Sequence, residues 1–294
     1  MMNLVNSKTM RNIKKKLIVI FGPTASGKTT LAIKLAQQYN TEIISADSRQ
    51  FYKEMKIGTA VPTKQELDSV KHHFIQHISI HDNYNVGLFE QEATKTIQSL
   101  FQKFDTLIVV GGSGLYIDAI CYGFDSFPEI DPTLRQSLRE EYIEKGLVWL
   151  QEKVNSLDPA FYKNADINNH QRLLRCLEVC VQSGQTFSSF KLRKDEKKPY
   201  DIQFKSIRMD RETLYARINQ RVDHMMENGL LNEVETLLPF KNQNALQTVG
   251  YKELFAYLND EISLDFAIEL IKRNSRRFAK RQITWLKKYP VQLL

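Results

Sequence analysis

Apolar positions gather first into short unbroken runs and later into helical repeats. Residues 15–21 read KKLIVIF, 42–46 EIISA and 106–112 TLIVVGG. Runs this short, rich in Ile and Val, are the pattern of strands buried on both faces. After the first run, Leu31, Ile33, Leu35 and Ala36 suit a helix from Lys28 to Tyr39 lying against a sheet. Strand, glycine turn and helix, with further apolar strands to follow, predict an α/β fold: a parallel sheet flanked by helices. The segment HHFIQHISIH alternates like a strand, which would set His77 and His81 on one face and leaves a metal site open. From Pro128 onward the period becomes helical, with stops at Asp158-Pro159 and at Gly184. Residues 130–200 therefore read as a mainly helical insertion, closed by the charged linker KLRKDEKKP (191–199). FKSIRMD (204–210) returns as a strand, and helices broken at Gly229, Pro239 and Gly250 fill the rest. The expected organisation is a flexible basic tail (1–15), a main α/β domain (16–129 and 201–294) and the insertion.

Composition changes this picture little. The chain of 294 residues is 42% hydrophobic and 26% charged, and no apolar run approaches the roughly 18 residues of a membrane span. The polar, basic start is not followed by the apolar run of a secretory signal, so the expectation is a cytoplasmic protein without a membrane segment. Cys121, Cys176 and Cys180 make no disulfide framework. Cys176 and Cys180 lie one helical turn apart and read as core, since a metal would need two further ligands.

Charge is more informative. The net charge is +7, yet residues 272–288 alone carry Lys272, Arg273, Arg276, Arg277, Lys280, Arg281, Lys287 and Lys288 and no acid. On a helix, Ile271, Phe278, Trp285 and Leu286 share a face with Ser275 and Gln282 between them, while Lys272, Arg273, Arg276, Lys280 and Lys287 cluster opposite. A face of one sign repels itself unless an anion relieves it, which points to a nucleic acid backbone.

Candidate chemistry begins with FGPTASGKTT (21–30). Gly22, Gly27, Lys28 and Thr29 fit the phosphate-binding P-loop pattern. Backbone N–H groups and a helix N-terminus make an anion nest, Lys28 adds a mobile charge, and the Thr29 hydroxyl can ligate Mg²⁺. Such a loop recognises a diphosphate without specifying a reaction. The strand ending in GGSGLY offers no magnesium-binding acid; it reads as a second nest with the Ser113 hydroxyl facing the same crevice. The acid is instead Asp47, just past EIISA, where the carboxyl ends of a doubly wound sheet place ligands and where a carboxylate can take a proton from a nucleophile.

SADSRQFYKEMKIGTAVP (45–62), with GPTASGKT, VGGSGLY, HQRLLRCLEV, TVGYKEL and RRFAKRQITWLKK, closely resembles the bacterial tRNA dimethylallyltransferase family. The motifs run from residue 22 to 288 in the family's order. The resemblance implies a P-loop fold whose loop, Gly22, Pro23, Thr24, Ala25, Ser26, Gly27, Lys28 and Thr29, holds the diphosphate of dimethylallyl diphosphate with Mg²⁺ through Thr29. The acceptor is N6 of the adenosine 3′ of the tRNA anticodon. Asp47 is the implied base, with Lys28, Ser113 and Arg221 also catalytic. The implied tRNA contacts are Asp47, Ser48, Arg49, Gln50, Ser113, Arg135, Gln171, Arg172, Leu173, Leu174, Arg175, Gln247, Thr248, Val249, Gly250, Tyr251 and Lys252; Arg276 and Lys280 would line the phosphate surface. The insertion would clamp the anticodon stem-loop of a monomeric enzyme.

The chain departs from the family motif with Glu54, Lys56 and Val61 at its glycine, aspartate and lysine positions, and with Ser113 where threonine is commoner. Two rivals fit the loop: a P-loop kinase using ATP, with Asp47 activating a hydroxyl, and a non-catalytic RNA-binding switch controlled by nucleotide.

Overall fold

A computed structural model of the chain describes residues 14–190 and 198–294. Almost all of the predicted basic tail, and residues 191–197 of the predicted linker, lie outside the described residues. Two compact units emerge, one made of the chain up to Cys121 together with the chain from Lys197, the other of Tyr122–Glu196.

The first unit holds β1 (Lys16–Phe21), α1 (Lys28–Gln38), β2 (Ile43–Ser45), α2 (Lys64–Ser69), β3 (His72–His73), α3 (Val86–Leu100), β4 (Thr106–Gly111) and most of α4 (Gly114–Tyr122). The second holds α5 (Pro132–Leu157), α6 (Pro159–Asn164) and α7 (His170–Ser183). The chain then returns with β5 (Asp201–Ser206), α8 (Arg211–Glu227), α9 (Leu230–Leu237), α10 (Tyr251–Leu258), α11 (Leu264–Leu286) and β6 (Val291–Leu293). The six strands are all parallel, in the order β3-β2-β4-β1-β5-β6.

The unbroken apolar runs follow from burial on both sheet faces. Ile18, Ile20, Ile108 and Val110 pack with Ala32 and Ala36 of α1. Leu17, Val19, Phe21, Leu107 and Val109 join Phe89, Ala93 and Ile97 of α3 and Ile117 of α4 on the other side. With helices over both faces, no polar alternation survives in the central strands. The result is that the carboxyl ends of β1, β2, β4 and β5 open on one edge.

Three elements differ from the sequence reading. Only His72–His73 of the histidine segment is strand, because Phe74 and Gln76 take left-handed φ of 62° and 46° and turn the chain inward. Phe74 and His77 then pack edge-on with each other, and His77 with Phe51. His73 Nε2 donates to Glu42 at 2.5 Å and His72 Nδ1 to the Val70 carbonyl at 2.8 Å, and among the described residues these histidines do not gather into a metal-ligand cluster. The returning strand runs over Asp201–Ser206, earlier than expected, and the chain's last residues form β6 beside it where helix was predicted.

The second unit packs Leu138, Leu150, Val154, Phe161, Leu173, Leu177 and Phe187 around Cys176 and Cys180, confirming the cysteines as core. Helix α5 breaks at Gly146, whose φ of 78° only glycine adopts easily. Asp158 is fully buried. Its carboxylate accepts from the Phe161 N–H at 2.9 Å, the Ser188 N–H at 2.7 Å and the Ser188 hydroxyl at 3.0 Å, joining α6 to the turn after α7. Replacing Asp158 with alanine strands those donors in the core and should cost about 2–4 kcal/mol. Urea unfolding in a Trp285→Phe background, where Trp149 is the remaining tryptophan, measures it by fluorescence, and a midpoint equal to that of the background protein would refute the account.

Candidate functional site

The loop after β1 is shaped by two left-handed residues, Ala25 (φ 62°) and Gly27 (φ 88°). Gly27 is the N-cap of α1 and has no side chain to close the helix end, so the first N–H groups stay available to an anion. Lys28 Nζ donates to the Pro23 carbonyl at 2.6 Å, folding the ammonium back over the loop. Burial pulls its pKa down to about 8, against the opposing attraction of Asp47. The Thr24 N–H donates to Gln282 Oε1 at 2.8 Å, while Arg221 Nη1 donates to the Thr24 hydroxyl at 3.1 Å. Ser26 Oγ and Ser206 Oγ are buried with no partner among the described residues. A methyl group at Gly22 would lie 2.9 Å from Ser206 Oγ, 3.7 Å from Ser26 Oγ and 3.8 Å from Lys28 Cδ. Gly22 therefore keeps open a space on which two hydroxyls and the lysine stem converge. Thr29 follows Lys28 in the first turn of α1 and is half-buried.

Asp47 lies two residues past β2, and its Oδ1 accepts from the Arg49 N–H at 3.2 Å. Burial pushes its carboxyl up, against the Arg49 N–H and the charges of Lys28, Arg49 and Arg221. Ser113 Oγ accepts the Ser48 N–H at 3.0 Å and shares a hydrogen bond with Ser48 Oγ at 3.0 Å, so it braces the turn that carries Asp47. Arg49 Nη1 donates to the carbonyls of Asn244 (3.0 Å) and Ala245 (2.8 Å), and Gln50 Nε2 to those of Thr59 (3.1 Å) and Ala60 (2.9 Å). Lys28, Asp47 and Arg221 thus share one electrostatic neighbourhood, although they come from three distant segments.

The glycines at the end of β4 and just past it are a packing requirement. A Cβ at Gly111 would stand 2.2 Å from the Ala46 carbonyl oxygen, one at Gly112 2.2 Å from Gln282 Nε2, and one at Gly114 2.5 Å from the Trp285 ring. Three neighbours approach three glycines, so close packing requires glycine at each of these positions.

Two residues that sequence reasoning missed organise the turn region. Glu233 on α9 accepts the N–H groups of Lys56 (3.0 Å), Ile57 (2.7 Å) and Gly58 (3.0 Å), together with the Tyr251 hydroxyl at 2.6 Å. Gln282 on α11 is the other, with its Nε2 donating to the Gly112 carbonyl at 2.8 Å. Its sequence signal was a polar residue inside an apolar helix face. Glu54, which departs from the family motif, accepts from the Ser79 hydroxyl at 2.6 Å and the Ile80 N–H at 3.0 Å and so ties the turn to the next segment. Nothing in the structure explains Val61.

Among the remaining predicted contacts, Tyr251 is fully buried, and Gln247 Nε2 donates to the Lys241 carbonyl at 2.7 Å. Gly250 begins α10, with Thr248 and Val249 just before it and Lys252 exposed on its first turn. In the helical unit Leu173 and Leu174 are core, Gln171 and Arg172 are exposed, and Arg135 and Arg175 flank buried Glu178 at 3.4 and 3.5 Å.

On α11 the buried positions are Ala267, Ile271, Ala279 and Gln282, while Phe278, expected inside, is exposed under the Arg281 guanidinium. Lys272 is not part of an unrelieved basic face: it pairs with Asp223 of α8 at 2.8 Å and with Glu269 at 3.2 Å. Arg276 donates to Asn219 Oδ1 at 2.6 Å. Arg273, Arg277, Lys280, Arg281, Lys287 and Lys288 are exposed.

The IPP transferase family matches residues 50–289. A tRNA dimethylallyltransferase of Christiangramia forsetii is 55% identical over 278 residues, 93% of this chain and 91% of that one. The tRNA dimethylallyltransferase of Flavobacterium johnsoniae is 52% identical over 280 residues, with 93% and 91% covered. Among solved structures, the tRNA isopentenylpyrophosphate transferase of Bacillus halodurans superposes with a TM-score of 0.70 at 36% identity, covering 96% of this chain and 90% of its own. A eukaryotic dimethylallyltransferase described as acting on tRNA gives 0.80 at 28% identity, covering 95% and 73%.

The Glu233 clasp yields a direct test. Glu233→Gln keeps the shape but removes the charge that three amides and a hydroxyl converge on. Amide exchange at Lys56, Ile57 and Gly58 should accelerate about tenfold to a hundredfold, the equivalent of one charge-assisted hydrogen bond. Unchanged protection at those amides would show the clasp to be incidental.

Proposed function

The chain belongs to the tRNA dimethylallyltransferase family, and on that premise we propose that the glycine loop binds the diphosphate of dimethylallyl diphosphate while Asp47 serves as base toward tRNA. The observation that carries the reading is the convergence of Lys28, Arg221 and the Asp47 carboxyl about one loop that ends in an uncapped helix N-terminus.

The chemistry follows from charge. As the allylic carbon–oxygen bond breaks, negative charge grows on the departing diphosphate. The Lys28 ammonium, held on the Pro23 carbonyl, and the Arg221 guanidinium, held on the Thr24 hydroxyl, stand at the loop with its amides as positive charge for that departing group, and stabilising charge as it develops is where such sites gain most of their rate. The N6 lone pair of the adenosine 3′ of the anticodon, adenosine-37, forms the new carbon–nitrogen bond. Asp47 takes the proton that the nitrogen then sheds, giving N6-dimethylallyladenosine and diphosphate. Its raised pKa makes it a better proton acceptor than an exposed carboxylate. The adenine must leave its stack to arrive there. The hydroxyl of Thr29 and the oxygen-rich surroundings of Gly22 suit a hard cation; Mg²⁺ bound there would neutralise diphosphate charge. The exposed arginines and lysines of α11, with Arg135, Gln171 and Arg172 of the helical unit, are assigned to the tRNA backbone. One chain carries every group invoked, so a cytoplasmic monomer suffices. No helix among the described residues is long and apolar enough to cross a membrane.

The test incubates the protein with Mg²⁺, dimethylallyl diphosphate and unmodified tRNA, then seeks N6-dimethylallyladenosine by mass spectrometry of digested RNA. Asp47→Ala should retain tRNA binding and lose about 10²-fold or more in turnover. Tight ATP binding and consumption without prenylated product would assign the loop to a nucleotide instead.

The pH dependence has a definite sign. In the free enzyme Lys28 loses its proton as pH rises through about 8, so kcat/KM for the diphosphate substrate should fall above that value. On the acid side activity should fall as Asp47 protonates at a pH above the ordinary carboxylate range. Lys28→Arg should erase the alkaline limb, and a limb that persists unchanged would assign it to another group. Neutralising Lys280, Arg281 and Lys287 together should flatten the slope of log affinity for tRNA against log salt by about 2. A slope equal to wild type would remove α11 from the RNA surface.

A further inference from the structure

The side chain of Gln282 is almost wholly buried, at 4% exposure. Its two ends meet opposite kinds of partner. Oε1 accepts the Thr24 N–H of the glycine loop at 2.8 Å, and Nε2 donates to the Gly112 carbonyl past the end of β4 at 2.8 Å. Gly112 in turn stands against Asp47: a Cβ there would be 3.6 Å from Asp47 Oδ2 and only 2.2 Å from Gln282 Nε2. One amide therefore spans from the loop to the strand end beside the carboxylate. A carboxylate could satisfy only the Thr24 end and would set an oxygen against the Gly112 carbonyl; a hydrocarbon could satisfy neither. The requirement for one acceptor and one donor on a single short planar group selects an amide.

The lower turn of α11 is fixed independently. The Trp285 ring seats against Gly114, its Nε1 donates to the Tyr289 hydroxyl at 3.0 Å, and that hydroxyl donates to buried Asp118 of α4. Gln282 is thus presented by a helix that cannot drift relative to β4 and α4. Thr24 has a second hold in Arg221, which reaches its hydroxyl from α8.

We infer that Gln282 is a positioning residue for the prenyl transfer, setting the separation between the diphosphate loop and the Asp47 carboxylate without touching either substrate. The inference rests on the proposed reading of the loop as the diphosphate site. It makes an amide of the terminal helix responsible for the distance between leaving group and base, a distance to which transfer is sensitive at the scale of one ångström.

The test uses Gln282→Met, which keeps the reach and removes both polar ends, and Gln282→Glu, which keeps the acceptor and regains a donor only when protonated. Wild type and both variants are compared by thermal unfolding, tRNA affinity and steady-state transfer between pH 6 and 8. Gln282→Met should bind tRNA within about threefold of wild type and lose about tenfold to a hundredfold in kcat/KM for the prenyl diphosphate, beyond any change in folded fraction. The activity of Gln282→Glu relative to wild type should climb as pH falls, because a neutral carboxyl restores the donor–acceptor pair; the ratio for Gln282→Met should stay flat. A pH-independent ratio for Gln282→Glu, or parallel losses in donor and tRNA affinity, overturns the inference. If Gln282→Met does not fold, the Gln282→Glu ratio decides alone. Absence of prenylated adenosine with wild type would sink the functional reading instead. Inorganic diphosphate affinity then tests the strut: weakened in Gln282→Glu at pH 8 and recovered at pH 6 supports it, and wild-type affinity at both overturns it.

Discussion

An anion-receiving loop has to hold its shape while leaving its amides unspent, and those demands conflict, because the usual way to fix a backbone is to bond its N–H groups. Here the conflict is resolved from outside the loop. Thr24 gives its N–H to Gln282, and its hydroxyl is held separately by Arg221. Lys28 folds onto the Pro23 carbonyl, which uses an acceptor and spares the donors. The left-handed turns at Ala25 and Gly27 then point successive amides toward one place. The buried ammonium with its lowered pKa is the electrostatic counterpart of this arrangement: a cation poorly solvated by protein alone is one that an incoming diphosphate stabilises.

The same economy governs the opposite wall. Glycine at 111, 112 and 114 admits a carbonyl, an amide and an indole at distances no side chain would permit. Close packing there keeps Asp47 desolvated, and desolvation raises its pKa. The Ser113 hydroxyl holds the backbone turn that aims Asp47, while Glu233 gathers the amides of the next turn around a single carboxylate. The glycine loop and the turn after Asp47 are therefore held in part from α11 and α9, helices that contribute no atom to the loop itself.

That division explains what the sequence could reveal. The central strands and the glycine loop were legible because their signals are local: burial on both faces leaves continuous apolar runs, and the loop's spacing is contiguous. The place of Asp47 just past a strand end was legible because the apolar run before it marks where β2 stops. Gln282 and Glu233 were not, since their meaning lies in partners 258 and 170 residues away for the first and 175 to 177 for the second. The three-residue β6 is too short to carry a period. Helical geometry alone placed Phe278 inside and Lys272 outside. Tertiary contacts reversed that: α8 supplies Asp223 to the lysine, and Phe278 stays at the surface under Arg281.

The reversal narrows where basic charge is available on α11. With Lys272 paired to acids and Arg276 bonded to Asn219, the exposed cations nearest the helix end are Arg277, Lys280, Arg281, Lys287 and Lys288. These flank Gln282 and Trp285 in sequence, so one stretch of chain carries the Gln282 amide on its inner side and exposed positive charge on its outer side. An anionic polymer drawn to the outer side is, on the proposed reading, held to a helix whose inner side, through Gln282, also bonds the glycine loop. On the proposed reading, docking of tRNA and placement of the diphosphate are referred to one rigid element. Misregistration between the two substrates is limited by the stiffness of a single helix instead of by a loop between two sites.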